Sequence, residues 1–291
     1  MAAKPFESIA TAILFRSKNS KGGIRVFKAN PDGMRMEPTP ERVLSVCRLV
    51  AHESMSRDDV RQAMTLGLND EKELDQINKS INVALEELSL IRADADKLVL
   101  AVDPGVTATP TAFRRYVSSR VFSAKNTTFH MFTKWLIAQN ERIFSMKSWE
   151  GLAKTCGSEV KELATLNENA VLGWRFWAAF LGLGYLSGTM IIPNMKLRLE
   201  DVLATTYTEK FKYNETILAQ DFMLWLSTKI PEVEIGDHLP LALSAGLRTL
   251  HEMGLVKLET WSDSTPIMLY HVDGEPVNRF THISVKGALN S

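Results

Sequence analysis

The sequence predicts a mainly α-helical protein with small β-hairpins. Long stretches carry apolar residues at helical spacing, and short alternating segments are bounded by turn residues such as the Asp–Gly pair at 273–274. A hydrophobic share of 45% in a chain of 291 residues is ordinary for a folded protein, which excludes disordered and coiled-coil classes. That length suggests about two domains of ~150 residues each.

Residues 1–40 are predicted to form an irregular N-terminal arm. Its apolar run at 9–15 could be a short strand or half a helix. At the end of the arm, Thr39 is a suitable N-cap for a helix whose first residue is Pro40.

Residues 41–105 carry three helical patterns followed by a strand–turn segment. Ser56 is a suitable cap for the second helix, whose first turn holds the acidic residues that the helix dipole favours. In the third helix, Leu74, Ile77 and Ile81 share one face. Two helices that support a third, followed by a hairpin, make the layout of a winged helix, so we predict a winged-helix domain here.

Residues 106–213 are predicted to form a basic, aromatic helical domain, in which Gly157 is a candidate helix terminator. The apolar run at 171–192 is long enough to span a bilayer, at ~20 residues. Because Arg175 lies near its start, and neither a second span nor a basic flanking cluster accompanies it, we predict a buried helix or a helix plus turn. The letters GLGYLSG within this run resemble a dinucleotide-binding loop, but we expect them to lie inside a helix, without the strand–turn–helix context of such a loop.

Residues 214–291 are predicted to form a second winged-helix domain. One helix is expected to begin at a cap formed by Asn214, and a second to end at Gly254 in the left-handed conformation. Three strand-like segments follow, with the Asp–Gly pair as a turn between antiparallel strands. The predicted architecture is therefore two winged-helix units that flank a helical central domain.

The formal charge is zero, from 34 basic and 34 acidic side chains, but the charges are unevenly distributed. Residues 49–96 carry five basic and eleven acidic side chains, a net of −6, and residues 214–286 carry five and ten, a net of −5. Residues 114–147 carry seven basic side chains and one acidic, a net of +6. A chain that is neutral as a whole can therefore still present a local phosphate-binding surface.

The cations of this basic segment are the candidate nucleic-acid-binding residues. Phosphates need cations, and unpaired bases stack on aromatic rings, which are interleaved with the cations here. In an amphipathic helix the aromatics face the core, so we expect Phe129 and Phe132 to be buried. The cations could instead bind the acidic segments of this chain or of a second copy. The candidates are Arg114, Arg115, Arg120, Lys125, Lys134, Arg142 and Lys147.

The third helix of each winged-helix unit offers recognition-helix candidates, which would present polar side chains to the major groove. Both units are net acidic, however, and an acidic surface is repelled by a polyanion. We therefore interpret both units as protein-docking modules rather than DNA readers. The recognition-helix candidates are Lys79, Asn82, Ser244 and Arg248.

No local motif for catalysis, cofactor binding or metal binding occurs. The six histidines show no close metal-ligand spacing, although His271 and His282 could approach each other across a hairpin. Cys47 and Cys156 are too few for a disulfide framework or a four-cysteine zinc site, and they suit a reducing cytosol. We therefore expect a cytoplasmic protein with no catalytic residue, no metal and no cofactor.

A resemblance to known proteins lies near the C-terminus. The run LSAGLRTLHEMGLVKLET at 243–260 is similar to the third helix and wing of bacterial winged-helix proteins. Together with the FTHIS run at 280–284 and the overall layout, it resembles a DpdG-type accessory protein of bacterial loci that insert and police deazaguanine-modified DNA. The resemblance covers under a fifth of the chain. It implies a non-enzymatic component of a DNA-defence assembly and transfers no catalytic residue.

The predicted function is that of a non-catalytic, DNA-associated adaptor or subunit of a bacterial phage-defence complex, which binds partner proteins and the backbone of a nucleic acid. Its expected partners are other protein subunits and DNA, with no membrane; a homo-oligomer is compatible with the sequence. The alternative is a sequence-specific winged-helix transcription regulator that uses the helix around Arg248. An enzyme with a dispersed site would need a convergent pocket of titratable groups, to which the sequence gives no pointer.

Overall fold

The computed structural model describes residues 34–68, 70–146, 148–188, 190–262 and 264–287. Over these residues the chain is mainly helical, and its small sheets are antiparallel. This confirms the predicted class of a mainly α protein with small β-hairpins. Most of the predicted N-terminal arm, including the apolar run at 9–15, lies outside the described residues.

The first unit contains three helices and a three-stranded sheet. The sheet order is β1-β3-β2, so the strand between the first two helices joins the later hairpin. The predicted caps are confirmed: Thr39 Oγ1 accepts from the backbone N–H of Arg42, and Ser56 Oγ accepts from that of Asp59. The elements are α1 Pro40–His52, β1 Met55–Ser56, α2 Arg57–Met64, α3 Glu71–Asn82 with a π-helical turn Val83–Glu87, β2 Ile91–Asp94 and β3 Lys97–Leu100.

The central region is helical apart from one hairpin. Short 3-10 turns at Asn140–Ser145, Lys161–Leu163 and Tyr207–Glu209 connect or extend its helices. The elements are α4 Gly105–Ala108, α5 Pro110–Val121, α6 Thr128–Ala138, α7 Trp149–Glu159, α8 Glu168–Phe180, β4 Gly184–Ser187, β5 Met190–Pro193 and α9 Lys196–Thr206.

The C-terminal unit pairs two helices with a sheet of order β6-β10-β7 and a two-stranded ladder of β8 and β9. Gly254 ends the second helix with φ +71°, as predicted. Asn214 does not cap the first helix; its backbone N–H donates to Val285, and residues after it form a strand before the helix begins. The elements are β6 Thr216–Leu218, α10 Ala219–Lys229, α11 Leu241–Glu252, β7 Val256–Glu259, β8 Ile267–Met268, β9 Arg279–Phe280 and β10 His282–Val285.

Of the two alternatives predicted for the apolar run at 171–192, the structure shows the helix followed by a turn. Helix α8 ends at Phe180, and the GLGYLSG letters form a turn and strand β4, so their expected placement inside a helix is wrong. Gly182 makes the turn with φ +80°, and a Cβ there would lie 2.5 Å from the backbone N of Arg198. The expected terminator Gly157 lies inside α7 instead. None of the described helices is long and apolar enough to cross a membrane.

Aromatic side chains of α6 and α8 form the centre of the core. Phe129 and Phe132 are fully buried, which confirms that they face inward. The rings of Phe132 and Trp174 meet edge to face with centroids 4.9 Å apart, a favourable arrangement for aromatic pairs. Trp174 Nε1 donates to Thr133 Oγ1 at 2.9 Å, so its polar atom is also satisfied inside the core.

The start of the described chain packs directly on α8. Trp177 Nε1 donates to the carbonyl of Pro38 at 2.9 Å, and Met34 is buried. Gly173 lets the two backbones approach, because a Cβ on it would lie 2.5 Å from the carbonyl oxygen of Arg35.

Gly173→Ala is therefore expected to lower the free energy of unfolding by about 1–3 kcal/mol, the usual range for overpacking. Alanine is favoured over glycine in a helix interior by ~1 kcal/mol, and we expect the steric clash to outweigh this gain. Urea unfolding measures it, with Gly236→Ala as the control, because a Cβ at Gly236 meets no atom within 4 Å. Equal stability of the two variants would refute the close approach of the backbones.

Candidate nucleic-acid interface

The predicted cations lie on three neighbouring elements. Arg114, Arg115 and Arg120 are on α5, Lys125 follows α5, and Lys134 is on α6. Arg142 lies in the 3-10 turn after α6. Lys147 lies outside the described residues.

Two of these cations are bound to one buried carboxylate. Arg114 donates through Nη2 to Asp201 Oδ1 at 3.0 Å and through Nε to Oδ2, while Arg115 donates through Nε to Oδ1 at 2.9 Å. Asp201, on α9, has only 4% of its side chain exposed, and Arg114 has 11%. One buried carboxylate thus joins two arginines of α5: Arg114 holds it through two hydrogen bonds, and Arg115, with 32% of its side chain exposed, through one.

Arg120 and Lys125 remain available on the surface. Arg120 donates through Nη2 to Tyr116 Oη at 2.7 Å, and its guanidinium lies 5.2 Å from the centroid of the Tyr116 ring. This contact orients the cation without neutralising it. Lys125 is exposed and makes no ion pair with any described residue.

Lys134 and Arg142 make only exposed ion pairs. Lys134 Nζ lies 3.4 Å from Glu234, and Arg142 Nη2 lies 3.5 Å from Glu159. Both cations have at least half of their side chains exposed. Exposed pairs contribute ~0–1 kcal/mol and are screened by salt, so a phosphate can replace either carboxylate.

Besides burial, the positive charges of two of these lysines contribute to lowering the pKa of His130. Its side chain is buried on α6, and burial is the largest cause that lowers its pKa, followed by the positive charges of Lys134 and Lys125. Its Nδ1 has no hydrogen-bond partner among the described residues. Since the lowered pKa favours the neutral imidazole, the local positive charge comes from the lysines.

In the first unit, the recognition-helix candidates face acidic neighbours. Lys79 Nζ lies 2.8 Å from both Glu37 and Asp75, and these partners raise the pKa of the lysine. Asn82 is exposed, and its Oδ1 accepts from Arg57 Nη1 at 3.0 Å. The candidate cation Lys79 is therefore already paired with two carboxylates, while Lys72 of the same helix is exposed.

In the C-terminal unit, the structure places both recognition-helix candidates inside. Ser244 is fully buried, and its Oγ accepts from the backbone N–H of Tyr270 at 2.8 Å. Arg248 is 5% exposed and donates to the carbonyls of Tyr270 at 2.7 Å and Val277 at 2.9 Å. Their polar atoms bind the segment between β8 and β9, so neither side chain can reach a base in this conformation.

Helix α11 also packs against the central region. A Cβ on Gly246 would lie 2.8 Å from the backbone N of Lys196, and Met195 N–H donates to the carbonyl of Ala242 at 2.9 Å. This face of α11 is therefore covered by the start of α9 and cannot enter a major groove.

A second buried ion pair lies on α9 and was not predicted from the sequence. Arg198 Nε donates to Glu232 Oε1 at 2.8 Å, and Nη2 donates to the carbonyl of Lys229 at 3.1 Å. The guanidinium also lies 4.6 Å from the Phe122 ring centroid. The sequence did contain a signal for this pair. Arg198 and Asp201 are three residues apart and so share a helix face with apolar residues, which indicates that both charges are buried.

The described residues hold no group of three or more metal-ligating side chains. Burial raises the pKa of both the Cys47 and the Cys156 thiol to about 12, so neither is a reactive thiolate. His271 pairs with Asp273 at 3.2 Å, whereas His282 stacks on Trp261, so the two histidines serve different contacts. A cavity of about 450 Å³ between Phe144, Trp149, Met190 and their neighbours is mostly apolar and contains none of the predicted site residues.

These features define a mainly helical protein with a cation-bearing centre and a small antiparallel sheet in each terminal unit. The family model described as DpdG-like matches residues 34–264, which is most of the chain, so the protein belongs to the DpdG-like family. This confirms the resemblance found in the sequence, and it supports a role in a deazaguanine modification and defence locus. No curated protein and no solved structure matches the chain.

Asp201→Asn is expected to lower the free energy of unfolding by about 3–5 kcal/mol, because it leaves two arginines beside an uncharged partner in a largely buried place. Glu234→Gln is the matched control, since it removes the exposed partner of Lys134 and should cost at most about 1 kcal/mol. Urea unfolding of both variants measures the difference. A loss for Asp201→Asn as small as that of the control would show that the buried carboxylate does not stabilise the fold.

Proposed function

We propose that the protein is a non-catalytic adaptor of a bacterial DNA-modification and defence complex. Its terminal units are winged helices that dock partner proteins, and its central cations hold the backbone of a nucleic acid. Membership of the DpdG-like family supports a role in a defence complex. The distribution of accessible charge supports separate surfaces for partner proteins and for nucleic acid.

The winged-helix interpretation is supported by element and strand order. In the first unit the order is helix, strand, two helices and a hairpin, and the first strand adds to the hairpin as β1-β3-β2. The C-terminal unit has a strand, two helices and later strands, with the first strand at the edge of β6-β10-β7.

The docking role rests on one observation: none of the four recognition-helix candidates is an accessible, unpaired cation. Lys79 is bound by Glu37 and Asp75, and Arg248 is buried by its own unit. The exposed residues of α3 include Glu71 and Asp75. Such a surface repels phosphates and suits a partner protein with a basic surface.

The nucleic-acid role rests on the four described cations that are not held by a buried carboxylate. They lie on α5, on α6 and in the segments that follow these helices. Arginine and lysine side chains on such a surface bind phosphates rather than base edges. Sequence-independent binding is therefore expected. The four are Arg120, Lys125, Lys134 and Arg142.

A sequence-specific regulator is the less favoured alternative. It would need α11 to present Arg248 to base edges, but Arg248 donates to two backbone carbonyls and α11 packs against α9. Its use would require this unit to separate from the central region, which disrupts buried contacts.

Reversing the charge of Arg120 and Lys125 together, as Arg120→Glu and Lys125→Glu, is expected to weaken binding of duplex and single-stranded DNA equally across sequences. The slope of log affinity against log salt should fall by about 2, or about 1 for each lost phosphate contact. Fluorescence anisotropy over a salt series measures both effects. Reversal of Arg114 or Arg115 is unsuitable, because these residues hold Asp201.

The matched control is Arg92→Glu, an exposed arginine of the first unit that pairs with Asp94. Its binding of DNA should stay within about twofold of wild type, because it lies outside the central cation surface. No affinity for DNA at low salt, by the wild-type chain alone or with its partners, would exclude the nucleic-acid role.

The docking role predicts that Glu71→Lys combined with Asp75→Lys disrupts the complex with partner proteins. We expect co-expression with the products of neighbouring reading frames to give a complex of defined stoichiometry, and the variant to lose a subunit in size-exclusion chromatography with light scattering. The Arg120→Glu and Lys125→Glu variant should retain the subunit. A complex that survives reversal on α3 would contradict docking through this helix.

A further inference from the structure

The C-terminal sheet has an inner face toward the core and an outer face that carries polar side chains. Side chains alternate across a strand, and Ile217, Ile283 and Leu258 pair in register on the inner face, toward the core. The next residues in register therefore share the outer face. They are Thr216 and Leu218 of β6, His282 and Ser284 of β10, and Lys257 and Glu259 of β7.

Trp261 lies over this outer face immediately after β7. Its ring is stacked on the ring of His282, with centroids 3.8 Å apart and an interplanar angle of 27°. The backbone N–H of Trp261 donates to Thr281 Oγ1 at 2.8 Å. His282 is itself buried, with its Nδ1 3.0 Å from Thr281 Oγ1, so it forms a fixed support for the indole.

The indole is fixed and yet exposed. His282 covers one face of the ring, while 46% of the residue remains accessible to solvent. Among the described residues only Phe144, Tyr185 and Trp261 are exposed aromatic side chains, and a tryptophan that packing already holds in place is a favourable contact point for a ligand. Because its rotamer is already ordered, binding loses little side-chain entropy.

We propose that Trp261 is a stacking platform for an unpaired base of a single-stranded nucleic acid. Every base has a π face, and stacking on an aromatic side chain is tolerant of sequence. A base within a duplex is stacked on both faces, so the platform selects single strands. The site goes beyond the proposed function, because it lies on the C-terminal unit and binds a base rather than phosphates.

The neighbouring side chains suit the sugar–phosphate part of such a ligand. Lys257 has 56% of its side chain exposed and pairs with Glu259 at 2.8 Å, a surface contact that a phosphate can replace. The hydroxyl of Thr216 lies on the same outer face of the sheet. A partner protein that buries the indole is the competing occupant, and the experiment below separates the two.

The test uses the full chain labelled with 5-fluorotryptophan and observed by fluorine NMR. The protein has six tryptophans, and the resonance missing from Trp261→Phe identifies that of Trp261. A deoxyadenylate trinucleotide, which is short enough to probe one site, should shift this resonance saturably. The same bases within a self-complementary duplex should not. The shift should persist in the Arg120→Glu and Lys125→Glu variant, which separates this site from the central cations.

Affinity for a single strand that carries 2-aminopurine gives a second measurement. Trp261→Leu should bind about tenfold more weakly, within the range for loss of one stacked base, and Trp261→Phe should stay within about threefold of wild type. Tyr185→Leu is the matched control, because Tyr185 is equally exposed at 47% but lies on the β4–β5 hairpin. Its affinity should not change.

An unmoved Trp261 resonance at saturating trinucleotide would overturn the proposal, whether or not other tryptophans respond. So would a Trp261→Leu variant that binds the single strand as tightly as wild type. A resonance that shifts only when a partner protein is added would assign the indole to a protein interface instead.

Discussion

Two buried charged residues on one face of α9, Arg198 and Asp201, make three ion pairs that hold the central region together. Asp201 binds two arginines of α5, and Arg198 binds Glu232, which precedes α11. A charge removed from water must be paired, because an uncompensated buried charge costs several kcal/mol. The fold therefore keeps α5, α9 and the C-terminal unit in one arrangement, and the positions of the surface cations follow from it.

This constraint changes what the charge of the central segment means. Its net of +6 counts Arg114 and Arg115, but both are bound to a carboxylate some 90 residues later in the chain. A linear count cannot detect such neutralisation, since it compares only residues that are neighbours in sequence. The described cations that no buried carboxylate holds are Arg120, Lys125, Lys134 and Arg142, fewer than the linear count indicates.

Local signals in the sequence predicted local structure well. Thr39, Ser56 and Gly254 define helix ends through capping and backbone conformation, and these depend on a few adjacent residues. The failures involve distant contacts. Asn214 pairs with Val285 instead of capping a helix, and Gly182 turns the chain with a positive φ where the backbone of Arg198 leaves no room for a Cβ. For the candidate site, the sequence predicted which segment is basic but not which of its cations are free.

The burial of Arg248 limits the kind of specificity that this protein can have. Contacts to phosphates position a protein on a nucleic acid but carry no sequence information, and aromatic stacking is tolerant of sequence. Neither the proposed phosphate contacts around Arg120 nor the proposed platform at Trp261 would therefore distinguish one base sequence from another. In a system that acts on modified DNA, recognition of the modified base would then fall to a partner protein. An adaptor that holds strands without reading them, and docks the reader through its acidic helices, is consistent with both properties.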